Sequence, residues 1–358
     1  VERDLREQGG FISLKFRARD YHHMSDALSI EEMVLVLAAG IAEAAVETLA
    51  DDRVERLARG GIWERVRRFV DRQLAEGGVK ISLGPLEIKS ALQGGAGFRH
   101  ELGEALRRHP DRLQEFLHDL VRELVVSVHP HKLVIFVDEL DKFQVPSANT
   151  AAVYQAMADL FFHYSRVLRL PGCHTIYTIP PYLGFLNPGL ANAYGGRVYI
   201  LPSVKVRLRP PHPAPFPAGI GALREVLARR CDLSRLFGDV VEPAVLRLAL
   251  MSGGQFRDLC HLMREVLELA FDRGLPVTLD DVESAIEAYG GARTLMREHR
   301  EIIDAVTAHG DLGSLPQGML GALAGAMDQH LVLCYWNGDF WYDVHPLVRR
   351  SLESGSRP

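Results

Sequence analysis

The chain has 358 residues, of which 47% are hydrophobic and 24% charged, with a formal net charge of −5. That is a globular composition with length for roughly two or three domains, and it excludes a global field that would draw the protein to nucleic acid or anionic membranes. No stretch approaches the roughly 20 apolar residues of a membrane span. Cys173, Cys231, Cys260 and Cys334 lie too far apart for a zinc knuckle or redox motif, so a reducing, cytoplasmic setting is expected.

The opening "VERDLREQGG" has no signal-peptide character and reads as the end of a charged helix closed by Gly9 and Gly10. An element cut through at Val1 is the expectation. "FISLKF" alternates as a strand does, and "SIEEMVLVLAAGIAEAAVETLA" reads as a long helix with Ser29 as its cap. Residues 51–98 look like an insertion, with an Arg-rich helix near "ERVRRFVDRQLAE" and then a hairpin about Gly84-Pro85. Two helices broken near Pro110 lead into "LVIFVDELDKF". There Leu133 to Val137 are apolar at every position, as in a central parallel strand covered on both faces. A helix around "AAVYQAMADLFFHYSRVL", a strand "HTIYTIP" and a further strand "RVYILPSVKVRL" complete an expected three-layer α/β sandwich over 1–208.

The proline-rich run Arg209 to Gly221 cannot continue a sheet and marks the expected boundary. Helices alone follow over 209–290. From 291 to 358, two helices precede "LVLCYWNGDFWYDVHP", where Asn337-Gly338 between aromatic alternating runs signals a hairpin, giving a winged-helix pattern.

Asp138 and Glu139 end the central apolar run side by side. Strand C-termini form the ligand crevice of a doubly wound sheet, so the pair, together with Thr178 after the next strand, is expected to converge there. In "MSGGQFRDL", Gly253-Gly254 fits a sharp interhelical turn, and Arg257 falls in the first turn of a helix, where the macrodipole disfavours a cation. Either a phosphate answers that arginine, or a surface acid such as Glu242 or one near Asp258 does. His22-His23 and His129 with His131 lack metal-site spacing and are read as ordinary loop histidines.

With those residues in view, "VIFVDELDKF" resembles the Walker B strand of AAA+ and STAND-type P-loop ATPases. "TIYTIP" resembles their sensor 1 strand, and "SGGQFRDL" the sensor 2 motif of their helical lid. The order is similar to that of origin-recognition ATPases and bacterial STAND regulators. The resemblance implies a P-loop NTPase core, N-terminally truncated, with an all-α lid and a winged helix, binding ATP and Mg²⁺ and using nucleotide state to set core-lid geometry and partner binding. It implies Asp138 as the Mg²⁺ acid, Glu139 as catalytic glutamate, Thr178 as γ-phosphate sensor and Arg257 as lid arginine. Arg197 is the choice for an arginine finger, with Arg166 and Arg169 as rivals.

One departure is large. No GxxxxGK[ST] motif occurs, nor any Gly-Lys dipeptide, and "GGAGFRHELG" lacks both the lysine and a preceding strand. The chain is therefore expected to be either a piece of a working ATPase or a degenerate homologue acting as a scaffold. The expected recognition helix, "GMLGALAGAMDQH", has no Lys or Arg, and the wing carries Asp339 and Asp343. Such a module is a poor DNA reader, and a protein partner or self-association through lid and winged helix is favoured. The preference for Arg over Lys hints at a GC-rich bacterial genome.

Overall fold

A computed structural model describes residues 9–23, 27–49, 63–76, 90, 104, 110–142, 150–186, 189–210, 213–291, 299–309 and 319–353. The hairpin expected about Gly84-Pro85 and the helix expected ahead of Pro110 lie outside them. The chain divides into two compact units, Val1–Val198 and Tyr199–Pro358.

The first unit is mixed α/β. Strand β1 (Phe11–Arg17) runs into a 3-10 turn at Ala18–Asp20, and helix α1 (Ile30–Thr48) is the next described helix. Ser29 caps α1 with a full capping box. Its hydroxyl accepts the Glu32 N–H at 3.2 Å, and the Glu32 carboxylate accepts the Ser29 N–H at 2.9 Å. The helix is buried almost all round, as its run of Val, Leu and Ala requires. Gly40 lets it lie directly on the sheet, because a Cβ there would fall 2.2 Å from the Phe16 ring.

Helices α2 (Trp63–Glu76) and α3 (Pro110–Ser127) follow, joined by a Phe69–Phe116 stack at 4.0 Å and an Arg112–Glu76 ion pair at 2.8 Å. Then come β2 (Lys132–Asp138), α4 (Thr150–His163), α5 (Ser165–Leu168), β3 (His174–Tyr177), α6 (Tyr182–Leu186) and α7 (Leu190–Tyr194). The three strands form one parallel sheet in the order β1-β2-β3, with β2 central as its unbroken apolar run demands.

The pairing register sorts the side chains by face. Leu14, Phe16, Leu133, Ile135, Val137 and Tyr177 share one face, and helices pack on it: Gly40 of α1 on Phe16, Phe161 of α4 edge-on to Tyr177. The opposite face carries Lys15, Arg17, Phe136, Asp138, His174 and Ile176, with Lys15, Arg17, His174 and Ile176 exposed. The strand-end carboxylate therefore projects on the side of the sheet where solvent reaches basic side chains.

The expected strand "RVYILPSVKVRL" does not join this sheet. Its residues run without strand pairing apart from one bridge, Arg207 to Pro215. Pro202 lacks the N–H a ladder needs, and Tyr199 and Leu201 are 77% and 93% exposed.

The second unit holds α8 (Pro217–Ala228), α9 (Leu233–Phe237), α10 (Val241–Met251), α11 (Phe256–Arg273), α12 (Leu279–Gly291), α13 (Arg300–His309), α14 (Leu320–Asp328), the antiparallel hairpin β4 (Val332–Trp336) and β5 (Phe340–Val344), and α15 (Pro346–Glu353). Leu223, Val245, Leu248, Leu259, Leu262, Val282 and Ile286 share one core with Leu347 of α15. Within this unit the helical bundle and the C-terminal module are thus continuous in packing. Among the described residues no helix is long and apolar enough to cross a membrane.

Candidate functional site

Asp138 closes β2, and the backbone reverses immediately after it. Glu139 has φ 66°, a left-handed conformation rare for a residue with a side chain. That reversal aims its N–H back into the strand end, where it is shared by the Asp138 carboxylate at 2.9 Å and the Thr178 hydroxyl oxygen at 2.8 Å. The Thr178 hydroxyl donates in turn to the same Asp138 oxygen at 3.1 Å. Thr178 is held there because its own N–H extends the β2–β3 ladder to the Val137 carbonyl. Three residues singled out in the sequence are thereby joined in one hydrogen-bonded triangle across two strands.

The basic side chains around this triangle were not legible in the sequence. Lys15, two residues before the end of β1, reaches the second Asp138 oxygen, Oδ2, at 3.2 Å. Arg19 and Lys142 both pair with Glu139, at 2.5 and 2.8 Å, and leave its side chain only 9% exposed. Burial works against the charged form of Asp138. Lys15, the Thr178 hydroxyl and the Glu139 N–H outweigh it and hold the carboxyl below its ordinary value of 3.8. Asp141 beside it moves the other way, pushed up mainly by burial and further by Asp138 and Glu139.

Asp138 is ionised and a third exposed, a chemistry that suits one oxygen ligand of a hard divalent cation or of its water shell. Among the described residues no group of three or more His, Cys, Asp or Glu gathers to hold a metal without other help.

In the second unit, Ser252 to Gln255 make the turn between α10 and α11. Gly253 and Gly254 have φ of 59° and 74°, and a Cβ on Gly254 would fall 1.7 Å from the Val204 carbonyl oxygen. The Tyr335 hydroxyl donates to the Gly253 carbonyl at 2.6 Å. Arg257 lies exposed in the first turn of α11. Glu242, expected as a possible partner, pairs with Arg224, and the neighbouring Asp258 is engaged by the Tyr289 hydroxyl and His345. Among the described residues no carboxylate pairs with Arg257. Arg230, unremarked in the sequence, lies over the adjacent Phe256 ring at 5.4 Å. Arg197, Arg166 and Arg169 are all exposed in the first unit, and no ion pair among the described residues singles one of them out.

The hairpin buries Tyr335, Trp341 and Tyr342, so its aromatic residues do not alternate between core and surface along β5. Tyr335 and Trp341 stack at 4.5 Å and are fully buried, while Trp336 is half exposed. Asp343 is buried between Arg207 and Arg349, and Asp339 pairs with Arg209. Beneath them the fully buried His345 accepts the Leu347 N–H on Nδ1 and faces Asp258 with Nε2 at 3.0 Å, which assigns the ring proton to Nε2.

Compared with known proteins, the chain matches no family model, no curated protein and no solved structure. The family reading therefore rests on these residues and their geometry alone.

Proposed function

We propose that this chain is an ATP-dependent molecular switch of the AAA+/STAND type, in which the nucleotide state sets the binding of a protein partner. The observation that carries the reading is the convergence of Asp138, Glu139 and Thr178 at the C-terminal end of a parallel sheet, where doubly wound α/β proteins bind ligands. Asp138 would hold the Mg²⁺ of a bound nucleotide. When bound, that ion would neutralise charge on the phosphates.

The chain's own groups do the rest. Thr178 offers a hydroxyl already oriented by the Glu139 N–H, so a small rotation turns its proton from Asp138 toward a phosphate oxygen. Glu139 can orient a water once Arg19 or Lys142 swings away, and both are exposed enough to do so. Arg257, in the second unit, is a cation without an acidic partner among the described residues. With no Gly-Lys dipeptide in the chain, the β/γ-phosphate cradle must come from elsewhere, and turnover by these 358 residues alone is expected to be impaired.

The test is ATP turnover and fluorescent-nucleotide binding by the longest natural form of the protein. Glu139→Gln is expected to retain nucleotide while losing turnover by about 10²-fold or more. Unchanged turnover in that variant overturns the reading.

A second reading, a nucleotide-free scaffold, is favoured by one observation: both acids already have counter-ions within the chain. It expects no shift in melting temperature on adding Mg·ATP, whereas an ATP-binding protein at 100 times Kd gains about 2.7 kcal/mol.

A further inference from the structure

The solvent side of α11 carries two rows of side chains. In one, Phe256, Cys260, Leu267 and Phe271 follow at steps of four, seven and four, which returns them to the same side of a helix. Phe256, Leu267 and Phe271 are 40%, 47% and 91% exposed, and Cys260 is half-buried. The row beside it is charged, with Arg257 and Arg264 in the N-terminal half of the helix and Glu268 and Asp272 in the C-terminal half. Arg264 and Glu268 pair with each other at 3.3 Å, whereas among the described residues neither Arg257 nor Asp272 has an ionic partner. Arg264, Leu267, Glu268, Phe271 and Asp272 line an open depression around the exposed ring. Packing within the second unit accounts for the opposite side of α11, where Leu259, Leu262 and Val266 enter the core, and leaves these two rows without a partner.

We propose that α11 is a self-association surface, on which a second copy of this chain lays its own α11 antiparallel, about a two-fold axis passing beside Met263 and Arg264. The occupant follows from the order of the residues. Steps of four, seven and four read the same in both directions, so reversing the helix sets Phe256 opposite Phe271 and Cys260 opposite Leu267. The charges change sign between the two halves, and a two-fold axis keeps the charged row of both copies on one side of the pair. Arg257 of each copy therefore meets Asp272 of the other. Arg264, close to the axis, is matched in its own chain by Glu268. A parallel pair would instead set Arg257 against Arg257 and Asp272 against Asp272, which repulsion disfavours. One 18-residue helix gives a contact about 27 Å long. That is smaller than a permanent interface, and association in roughly the micromolar range is expected. The proposal goes beyond the ATPase reading and needs no nucleotide.

The experiment is sedimentation equilibrium of the full chain at low ionic strength and without nucleotide, up to about 100 µM, roughly a hundred times the expected Kd. The unaltered chain is expected to pass from monomer to dimer as concentration rises. A monomer throughout overturns the proposal, and the face then belongs to a different occupant. Arg257→Glu and Asp272→Arg, each placing like charges opposite one another twice per dimer, should each weaken association about tenfold or more. An equimolar mixture of the two variants restores opposite charges at both contacts, and should associate as tightly as the unaltered chain. Arg257→Glu puts an acid in the first turn of α11, where the macrodipole favours it, so lost association there is not lost folding. Phe271→Ala should also weaken the dimer about tenfold, with Leu267→Ala in its place if that variant does not fold. A mixture no tighter than either variant alone overturns the antiparallel arrangement, and a dimer indifferent to all three substitutions forms through another surface and overturns the proposal outright. Either failure leaves the ATPase reading standing, because no nucleotide is present.

Discussion

At the scale of single residues, the turn at Glu139 concentrates the physics of the strand end. A side chain at φ 66° is strained, and here the strain directs an N–H to two acceptors at once. Replacing Glu139 by a β-branched residue such as Val should destabilise the chain by about 1–3 kcal/mol, while Gly, which adopts the conformation without cost, should not; urea melts distinguish the two. Thr178→Val keeps the shape and removes the hydroxyl that bridges Glu139 to Asp138. It should cost about 1 kcal/mol, and Thr178→Ser should recover it. Acid sensitivity follows from three carboxylates held below their ordinary values. Asp138 is lowered by Lys15 and its neutral donors against the pull of burial, Asp281 by Thr278 and then Arg273, and Glu283 chiefly by Arg247 with Arg350. A depressed carboxyl contributes stability that is complete above its unfolded value, 3.8 for Asp and 4.5 for Glu, and is lost as pH falls through the folded one. Melting temperature should therefore decline below about pH 4, and less steeply in Asp281→Asn.

At the scale of elements, the turn before α11 ties sequence to packing most directly. Gly253-Gly254 was legible as a sharp turn, and the structure adds why a side chain is forbidden: the Val204 carbonyl fills the Cβ position of Gly254. Gly254→Ala should lower stability by at least about 2 kcal/mol, seen as a drop in melting temperature. What was legible elsewhere had local causes: the Ser29 cap, the unbroken apolar run of β2, the Asn337-Gly338 hairpin. What was not legible depended on distant partners. Lys15 and Asp138 are neighbours only because β1 and β2 pair across an intervening stretch of more than a hundred residues, and no local pattern marks Lys15, Arg19 or Lys142 as facing two acids. The same cause misled the reading of "RVYILPSVKVRL". Its alternation and β-branched residues are sound strand signals, but a strand needs a neighbour, and Pro202 interrupts the ladder. Helix α15 escaped notice because it is short, and its Leu347 and Val348 are buried by the surrounding unit.

At the scale of the whole molecule, two compact units in one chain lead to a thermodynamic expectation. Each has its own buried core, so calorimetry of the intact chain should show two transitions. Residues 199–358 expressed alone should retain one of them, and a single transition for the intact chain would argue that the units are energetically inseparable. The passage from one unit to the next adds a mechanical point. On entering the second unit the chain does not attach at its rim. The Ser203 N–H bonds the Cys334 carbonyl of the hairpin at 2.8 Å, and the Val204 N–H bonds the Gly254 carbonyl ahead of α11 at 3.0 Å. Consecutive residues are thus stitched to two different substructures, and Val206 just beyond is fully buried. A pull transmitted through Tyr199 would reach both stitches within two residues, and through them the start of the Arg257 helix and the hairpin together.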